Sequence, residues 1–202
     1  MSNYTEVIQG HTLEYFDDEH QYIVDGICVP SITQILAVKF GHKYDYVNPE
    51  KLKKSAEYGT AVHKAIEEYC LSGTESDLIE LKNFKFLEEK YKFEVTENET
   101  PVILFKDDKP IAAGRLDLVM IYNDKLTGAD IKCTSSLDRE YVAYQLNLYR
   151  IAYKQCYGEE WQRLRAIRLK GQTGRSFVNL PINENSAWEL VEEYERQLQK
   201  SR

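Results

Sequence analysis

The spacing of apolar residues changes twice along the chain and divides it into helical and strand-like stretches. Before position 92 apolar residues recur every three or four positions, as Leu78, Leu81, Phe84 and Leu87 do, and this spacing predicts helices. From position 93 they form longer runs bounded by turn residues, which predict strands. Helical spacing returns near position 138 and again near the end of the chain. The alternation indicates an α/β protein.

Start and stop signals predict five helices. Ser31 caps a short helix that ends near position 38, and Asn48-Pro49-Glu50 places proline at the first position of a longer one. That longer helix runs, with a break, to about position 71 and closes at Ser72-Gly73. The other three span about 76–91, 138–157 before Gly158, and the C-terminal stretch from Asn183 or Asn185.

Turn residues divide the strand-like stretches. The runs at 93–105, 111–122 and 126–133 are joined by short polar turns, which predicts an antiparallel meander, and 164–170 and 176–180 are two further strands. Strands at 13–16 and 21–24, around a polar turn at 17–20 and before the turn Asp25-Gly26, predict a small N-terminal β element. We therefore expect one domain over 1–202, with a central mixed sheet flanked by helices. Its parts are an N-terminal elaboration at 1–47, a core at 48–180 and a terminal helix at 181–202.

Composition limits the class of protein. With 202 residues and 43% hydrophobic residues the chain suits a soluble globular domain, and no 18-residue apolar run predicts a membrane span. The N-terminus lacks the basic start and apolar core of a secretory signal. Four cysteines lie far apart without a CxxC pair, which favours reduced thiols in a cytoplasmic protein over a disulfide or zinc framework: Cys28, Cys70, Cys133 and Cys156.

Charge is uneven along a chain whose net charge is −7. That net charge argues against a protein that coats nucleic acid non-specifically, but a metal site carries its own acidic ligands and remains compatible with it. The stretch 161–175 contains no acid, and its basic residues favour a role facing phosphate: Arg163, Arg165, Arg168, Lys170 and Arg175. For a second cluster, Lys51, Lys53 and Lys54, a solvated helix face is the favoured interpretation.

Two acids and a lysine stand near the ends of adjoining predicted strands. Asp117 follows Gly114 on one strand, and Asp130 and Lys132 lie on the next, so antiparallel pairing can bring the three together. Carboxylate oxygens suit a hard divalent cation, and a lysine can hold a water or stabilise charge that builds on phosphorus. The alternative is a set of ion pairs in which Lys132 and Arg115 neutralise the two aspartates.

Two predicted helices add further candidates. His63 shares a helix face with Gly59 and Glu67, so it is either a satisfied structural histidine or part of a metal-facing patch that another segment approaches closely at Gly59. Gln145 and Tyr149 lie one turn apart on the helix after the second acidic strand. They either pack as ordinary helix residues or hydrogen-bond the lysine, a water or a phosphate.

Four short motifs occur in order: Gly59-x-x-x-His63, Gly114-x-x-Asp117, Asp130-x-Lys132 and Gln145-x-x-x-Tyr149. Their order and distances resemble those of the PD-(D/E)XK nuclease superfamily, in particular the RecB-like exonucleases of recombination machines and phages. This resemblance covers positions 50 to 157. His20-x-Tyr22 and Val29-Pro30-Ser31-Ile32-Thr33 are similar to the N-terminal region of phage members and extend it to nearly the whole chain.

The resemblance implies a restriction-endonuclease-like core, of order αβββαβ, and roles for named residues. His63, Asp117, Asp130 and the carbonyl of Ile131 would bind one or two Mg²⁺ or Mn²⁺ ions, and Glu99 is a candidate further acid. Lys132 would be the catalytic lysine, supported by Gln145 and Tyr149, with DNA bound by the basic residues of 163–170.

The function implied is a metal-dependent DNA nuclease, an exonuclease of phage or mobile-element recombination, in the cytoplasm of a bacterium or phage-infected cell. The alternatives are a nicking or structure-specific endonuclease and a non-catalytic DNA- or protein-binding module. Partners implied by the family are DNA, a single-strand annealing protein and further copies of the chain. Relatives with an iron–sulfur cluster carry three cysteines near the C-terminus; here none follows Cys156, so no cluster is expected. No GxxxxGK[ST] loop occurs, so no nucleotide is expected either.

Overall fold

The N-terminal segment forms a four-stranded antiparallel sheet. The structure is a computed structural model that describes residues 4–16, 21–44 and 48–200. Its first strands are β1 (Tyr4–Ile8), β2 (His11–Phe16), β3 (Gln21–Val24) and β4 (Ile27–Val29), paired in sequence order. Strands β2 and β3 were predicted, whereas β1 and β4 were not. β1 exposes three of its five residues and β4 is three residues long, so neither has a clear apolar alternation. The predicted turn at 17–20 lies outside the described residues.

Local capping chemistry sets the first helices. Helix α1 (Ile32–Phe40) begins with a capping box, in which Ser31 Oγ accepts from Gln34 N–H and Gln34 Oε1 accepts from Ser31 N–H. A 3₁₀ turn over Gly41–Tyr44 follows. Helix α2 (Pro49–Ser72) is capped by Asn48 and continuous, so the predicted break is wrong. Helix α3 (Ile79–Tyr91) begins three residues later than predicted, because Ser76 Oγ accepts from Leu78 N–H in a turn before the helix.

The central sheet has five strands and is mixed. Its order is β5 (Glu94–Lys106), β6 (Lys109–Ile121), β7 (Leu126–Lys132), β8 (Arg163–Lys170) and β9 (Gly174–Leu180). Neighbours are antiparallel except β7 and β8, which helix α4 (Arg139–Tyr157) connects in parallel. The predicted meander, strands and α4 are confirmed, and Asn183 rather than Asn185 precedes the terminal helix α5 (Glu184–Lys200). The chain is thus an α/β protein with a mixed sheet flanked by helices.

Two buried clusters cover the two faces of this sheet. One includes residues of α2 and α3, and the other joins the N-terminal sheet with α1, α4 and α5. Trp161 is completely buried in the second cluster, and a Cβ atom at Gly128 would lie 2.0 Å from its ring. The second cluster therefore holds together residues of the N-terminal, central and C-terminal segments. No helix in the described part of the chain combines the length and hydropathy needed to cross a bilayer.

Candidate metal centre

Three acids stand in one row across the central sheet. The pairs Asn98↔Leu118 and Thr100↔Leu116 of the β5–β6 ladder flank Glu99 and Asp117, which are therefore opposite each other. The β6–β7 ladder ends at Leu118↔Ala129, and the next step of the same register brings Asp117 opposite Asp130. Strand register thus brings together side chains that are far apart in sequence.

Asp117 lies in the fork where β6 and β7 part. Beyond the last ladder pair, the backbone N–H of Ile131 donates to Asp117 Oδ2 at 2.6 Å. The side chain therefore replaces the next ladder bond, and the other carboxylate oxygen, Oδ1, lies 3.5 Å from His63 Nδ1. Its position where the β6–β7 ladder ends explains how a carboxylate can be mostly buried and still accessible to another ligand.

Helix α2 brings His63 onto this row of acids. Its Nδ1 is 3.5 Å from Asp117 Oδ1 and 3.6 Å from Glu99 Oε1, and its Nε2 is 3.2 Å from the carbonyl oxygen of Ile131. Burial alone would lower the pKa of His63, but the negative charges of Asp117 and Glu99 outweigh it and raise the pKa to about 9. At neutral pH the imidazole is therefore protonated, and its charge lies within 3.6 Å of both carboxylates.

Glu99 adopts an unusual backbone conformation in the middle of β5. Its φ of +47° is in the left-handed region, which costs a non-glycine residue about 1 kcal/mol or more. The guanidinium of Arg115 stabilises this arrangement, because its Nε donates to the Glu99 carbonyl at 3.2 Å and lies 3.4 Å from Oε2. Strain of this kind persists where the surroundings favour it, and here it accompanies a carboxylate directed at His63.

Asp130 and Lys132 form a buried ion pair. Lys132 Nζ donates to Asp130 Oδ1 at 2.8 Å and lies 2.7 Å from Oδ2, while only 3% of the aspartate side chain is exposed. Burial raises the pKa of Asp130 above its ordinary value, with the Lys132 charge opposing and the Asp117 charge adding to the rise. Within the described residues, Oδ2 has no partner with hydrogen-bond geometry. This oxygen is a buried acceptor with spare capacity.

The compact donor group differs from the predicted one. The described side chains whose ligand atoms all lie within 4.8 Å of one another are His63, Glu99 and Asp117. Asp130 is not in this group because its carboxylate is turned to Lys132, as the ion-pair alternative proposed. The other half of that alternative is wrong, since Arg115 binds Glu99 and lies 4.0 Å from Glu67 instead of neutralising Asp117.

The two candidates on α4 are both buried, and one contacts a motif glycine. A Cβ atom on Gly114 would lie 3.0 Å from Tyr149 Cε1 and Oη, so glycine lets this ring rest closely on β6. Burial raises the pKa of Tyr149 well above its usual value, and the charges of Asp117 and Asp130 add to this rise. Gln145 Oε1 is buried and, among the described residues, has no hydrogen-bond partner.

Gly59 does not have the role that its motif suggested. A Cβ atom there would meet nothing within 4 Å, so no segment of the described chain approaches it. Glu67, one turn beyond His63, faces Arg115 rather than the donor group. The helix motif therefore contributes its histidine alone to the described cluster.

The basic residues of β8 are not brought together on one surface. Strand pairing puts Arg168 beside Lys132 and Arg163 beside Thr127, which are about 17 Å apart along the strand. Arg163 and Arg165 stack on the Tyr122 ring at 5.3 and 4.8 Å, whereas Arg168 donates to the carbonyl of Ser135. Only Arg168 and Lys170 lie at the end of β8 that adjoins Lys132.

The donor set fits a hard divalent cation. It offers the oxygens of Glu99 and Asp117, the imidazole of His63 and the nearby carbonyl of Ile131, and Asp130 Oδ2 has spare acceptor capacity beside its ion pair with Lys132. Mostly oxygen ligands with one imidazole suit Mg²⁺ or Mn²⁺ better than zinc, which favours sulfur and nitrogen. The residues present therefore fit the ion that the sequence resemblance implies.

Comparisons with known proteins add little to this geometry. No family model matches the chain, and no curated protein matches it. A solved structure described as the crystal structure of SSO0001 is similar to it with a TM-score of 0.45 and 15% identity, over 85% of this chain and 75% of that one. A likeness at that level carries no argument about activity, which rests on the residues themselves.

Proposed function

We propose that this protein is a metal-dependent DNA nuclease with the restriction-endonuclease-like core of the PD-(D/E)XK superfamily. The observation that carries the proposal is the convergence of His63, Glu99 and Asp117 beside the Asp130–Lys132 pair. Two acids, an imidazole and an ammonium group within one sheet fork match the needs of phosphodiester hydrolysis. We further propose that it acts as an exonuclease in the recombination or processing of phage or mobile-element DNA.

In this proposal the acidic row holds the cation. The residues that would bind Mg²⁺ or Mn²⁺ are His63, Glu99, Asp117, Ile131 through its carbonyl, and Asp130 through Oδ2, which also pairs with Lys132. When bound, the ion supplies Lewis-acid charge for a phosphodiester oxygen. Binding through His63 requires loss of the imidazole proton, because a nitrogen that carries a proton cannot donate its lone pair.

Lys132 is the proposed catalytic residue. Its side chain is 24% exposed, and Asp130 holds the ammonium in position. Burial would lower the pKa of Lys132, but the charges of Asp130 and Asp117 outweigh it and raise the pKa, so the amine is protonated at neutral pH. A protonated amine acts by orienting the attacking water and by stabilising negative charge on phosphorus, not by abstracting a proton.

Gln145 and Tyr149 are proposed to position these groups. The Tyr149 phenol stays neutral because burial raises its pKa, so it can donate a hydrogen bond to a water or phosphate oxygen. The buried, unpartnered Gln145 Oε1, as judged among the described residues, can accept from the Lys132 ammonium or a water. Neither group would change its charge during the reaction.

A purely structural ion-pair network is less well supported as an explanation. It accounts for Asp130 and Lys132 and for the contacts of protonated His63 with Asp117 and Glu99, but it gives no reason for the strained backbone at Glu99. A non-catalytic module would have no need for this arrangement.

A cleavage assay tests the proposal. End-labelled linear DNA, single- and double-stranded, and closed circular DNA are incubated with Mg²⁺ or with EDTA. We expect linear DNA to be degraded only with Mg²⁺, and Lys132→Ala and Asp117→Asn to be inactive while Lys53→Ala, which alters an exposed lysine, stays active. Cleavage of the closed circle would identify an endonuclease instead, and full activity of Lys132→Ala would refute the assignment.

A further inference from the structure

A cavity of about 460 Å³ opens between the first turns of α2 and the ends of β7 and β8. Its lining includes Lys51, Lys54 and Tyr58 from the first turns of α2, Cys133 immediately after β7, and Lys170, the last residue of β8. This volume is within the range of pockets that hold a ligand of small-molecule size.

The lining of this cavity is basic in an acidic protein. It carries three lysines and one carboxylate, that of Glu50, whereas the chain as a whole has a net charge of −7. In the described part of the chain, none of the ion pairs involves Lys51, Lys54 or Lys170. These ammonium groups are therefore available to an anion.

The three lysines that the sequence suggested form a solvated helix face occupy two different positions in the structure. All three are exposed, but Lys51 and Lys54 lie one turn apart and line the cavity, whereas Lys53 does not. Lys170 comes from a different element and lies 4.9 Å above the ring of Tyr58. Convergence of ammonium groups from a helix and a strand end is the observation that distinguishes this cavity from an ordinary solvated face.

The cavity adjoins the proposed reaction site through the chain itself. Cys133 follows Lys132 directly, and the helix that carries the two lysines continues to His63 little more than one turn after Tyr58. A strand bound in the cavity would therefore lie along the helix that carries His63.

We propose that this cavity binds backbone phosphates of the DNA strand whose neighbouring phosphodiester bond is cleaved, with Lys51, Lys54 and Lys170 as the phosphate contacts. The inference rests on the proposed nuclease function and adds to it the path of the substrate. Lysine suits this task as a compact charge that contacts phosphate without reading sequence. Tyr58 supports the ammonium of Lys170 at the mouth of the cavity.

Binding without cleavage tests the path. Fluorescence anisotropy with a labelled 20-nucleotide single strand and its duplex is measured in EDTA across a range of salt concentrations. We expect Lys51→Ala/Lys54→Ala to weaken binding roughly tenfold at low salt. The negative slope of log K against log salt should also become less steep, by roughly 1.8 for the duplex and 1.4 for the single strand, since two phosphate contacts are lost. Lys53→Ala, on the same helix with the same change of charge, should bind as the wild type.

The outcomes separate this inference from the proposed function. Cleavage with Mg²⁺ by the wild type, together with unchanged affinity and salt slope in the double variant, would overturn the path and leave the nuclease assignment standing. Weakened binding by the double variant without any cleavage by the wild type would support the cavity as a DNA site and overturn the nuclease assignment. Equal losses in Lys51→Ala/Lys54→Ala and Lys53→Ala would show a diffuse charge effect and overturn the path.

Discussion

Replacing Lys132 by methionine keeps the apolar stem and removes the ammonium from a buried carboxylate. The lost contacts are 2.8 Å to Asp130 Oδ1 and 2.7 Å to Oδ2, and the aspartate is almost fully buried. Breaking a buried pair by removing one partner costs about 3–5 kcal/mol. Because a quarter of the lysine side chain is exposed, we expect the lower end, about 3 kcal/mol at pH 7.5.

The stability lost in Lys132→Met should decrease as pH falls. Burial already raises the pKa of Asp130, and loss of the ammonium removes the first of the charges that oppose this rise. A carboxyl group whose folded pKa is raised destabilises the protein increasingly as pH rises from the unfolded pKa toward the folded one. We therefore expect the deficit of Lys132→Met to shrink by roughly 1 kcal/mol per pH unit as pH falls from 7.5 toward 6.

Urea unfolding in EDTA, followed by circular dichroism, measures these free energies. The double variant Asp130→Asn/Lys132→Met should be more stable than the sum of the single changes by about 2 kcal/mol, since it leaves no unpaired charge. Lys53→Met, at an exposed position, should change stability by less than about 0.5 kcal/mol. Additive single changes, or a Lys132→Met variant as stable as the wild type at pH 7.5, would refute the reasoning.

Three further results are expected. The pKa of His63 is raised from 6.5 to about 9, so the stability that the protonated imidazole contributes is fully present below pH 6.5 and is lost as pH rises through 9. In urea unfolding in EDTA, the wild type should therefore lose roughly 2 kcal/mol over that range relative to His63→Gln. Gly128→Ala should cost about 3 kcal/mol or more in the same assay, because its Cβ would overlap Trp161, whereas Gly59→Ala should stabilise by up to about 1 kcal/mol. In thermal unfolding, 10 mM Mg²⁺ should raise the Tm of the wild type by about 4 °C if Kd is near 1 mM, and that of Glu99→Gln by much less, with exposed Glu94→Gln as control. A shift in Tm that Glu99→Gln leaves intact would contradict the role of that carboxylate.

Local chemistry explains why the helices could be predicted. The caps at Ser31, Asn48 and Asp138 are contacts between residues two or three positions apart, so the sequence alone contains them. Strands β1 and β4 were missed because most of their residues are exposed, so they lack the apolar alternation that predicts a strand. Edge strands are specified by their neighbours rather than by their own pattern.

The candidate site could be predicted in part. Asp117, Asp130 and Lys132 were predicted on adjoining antiparallel strands, and these strands pair as predicted up to Leu118↔Ala129, one step before the two aspartates. Glu99 joins the donor group through its left-handed backbone and its contact with Arg115. No local pattern in the sequence reveals either feature. The turning of Asp130 toward Lys132 likewise depends on packing.

The basic residues of β8 were predicted to act together, although the sequence already contained the information that they lie on two faces of the strand. Arg163 and Arg165 share one face of a strand, whereas Arg168 and Lys170 share the other, because three positions along a strand reverse the face. Composition suggested one patch, but strand alternation already indicated two. The cavity at Lys51 and Lys54 could not have been predicted, since its third lysine comes from β8.

The most direct test of the metal centre is a crystal structure with Mn²⁺ and its anomalous difference map. We expect a peak within about 2.0–2.6 Å of His63, Asp117 and at least one of Glu99 and Asp130, with the Lys132 ammonium adjacent. A fully ordered site without such a peak, or a Mn²⁺ ion bound elsewhere while His63 still contacts the carbonyl of Ile131, would contradict the account.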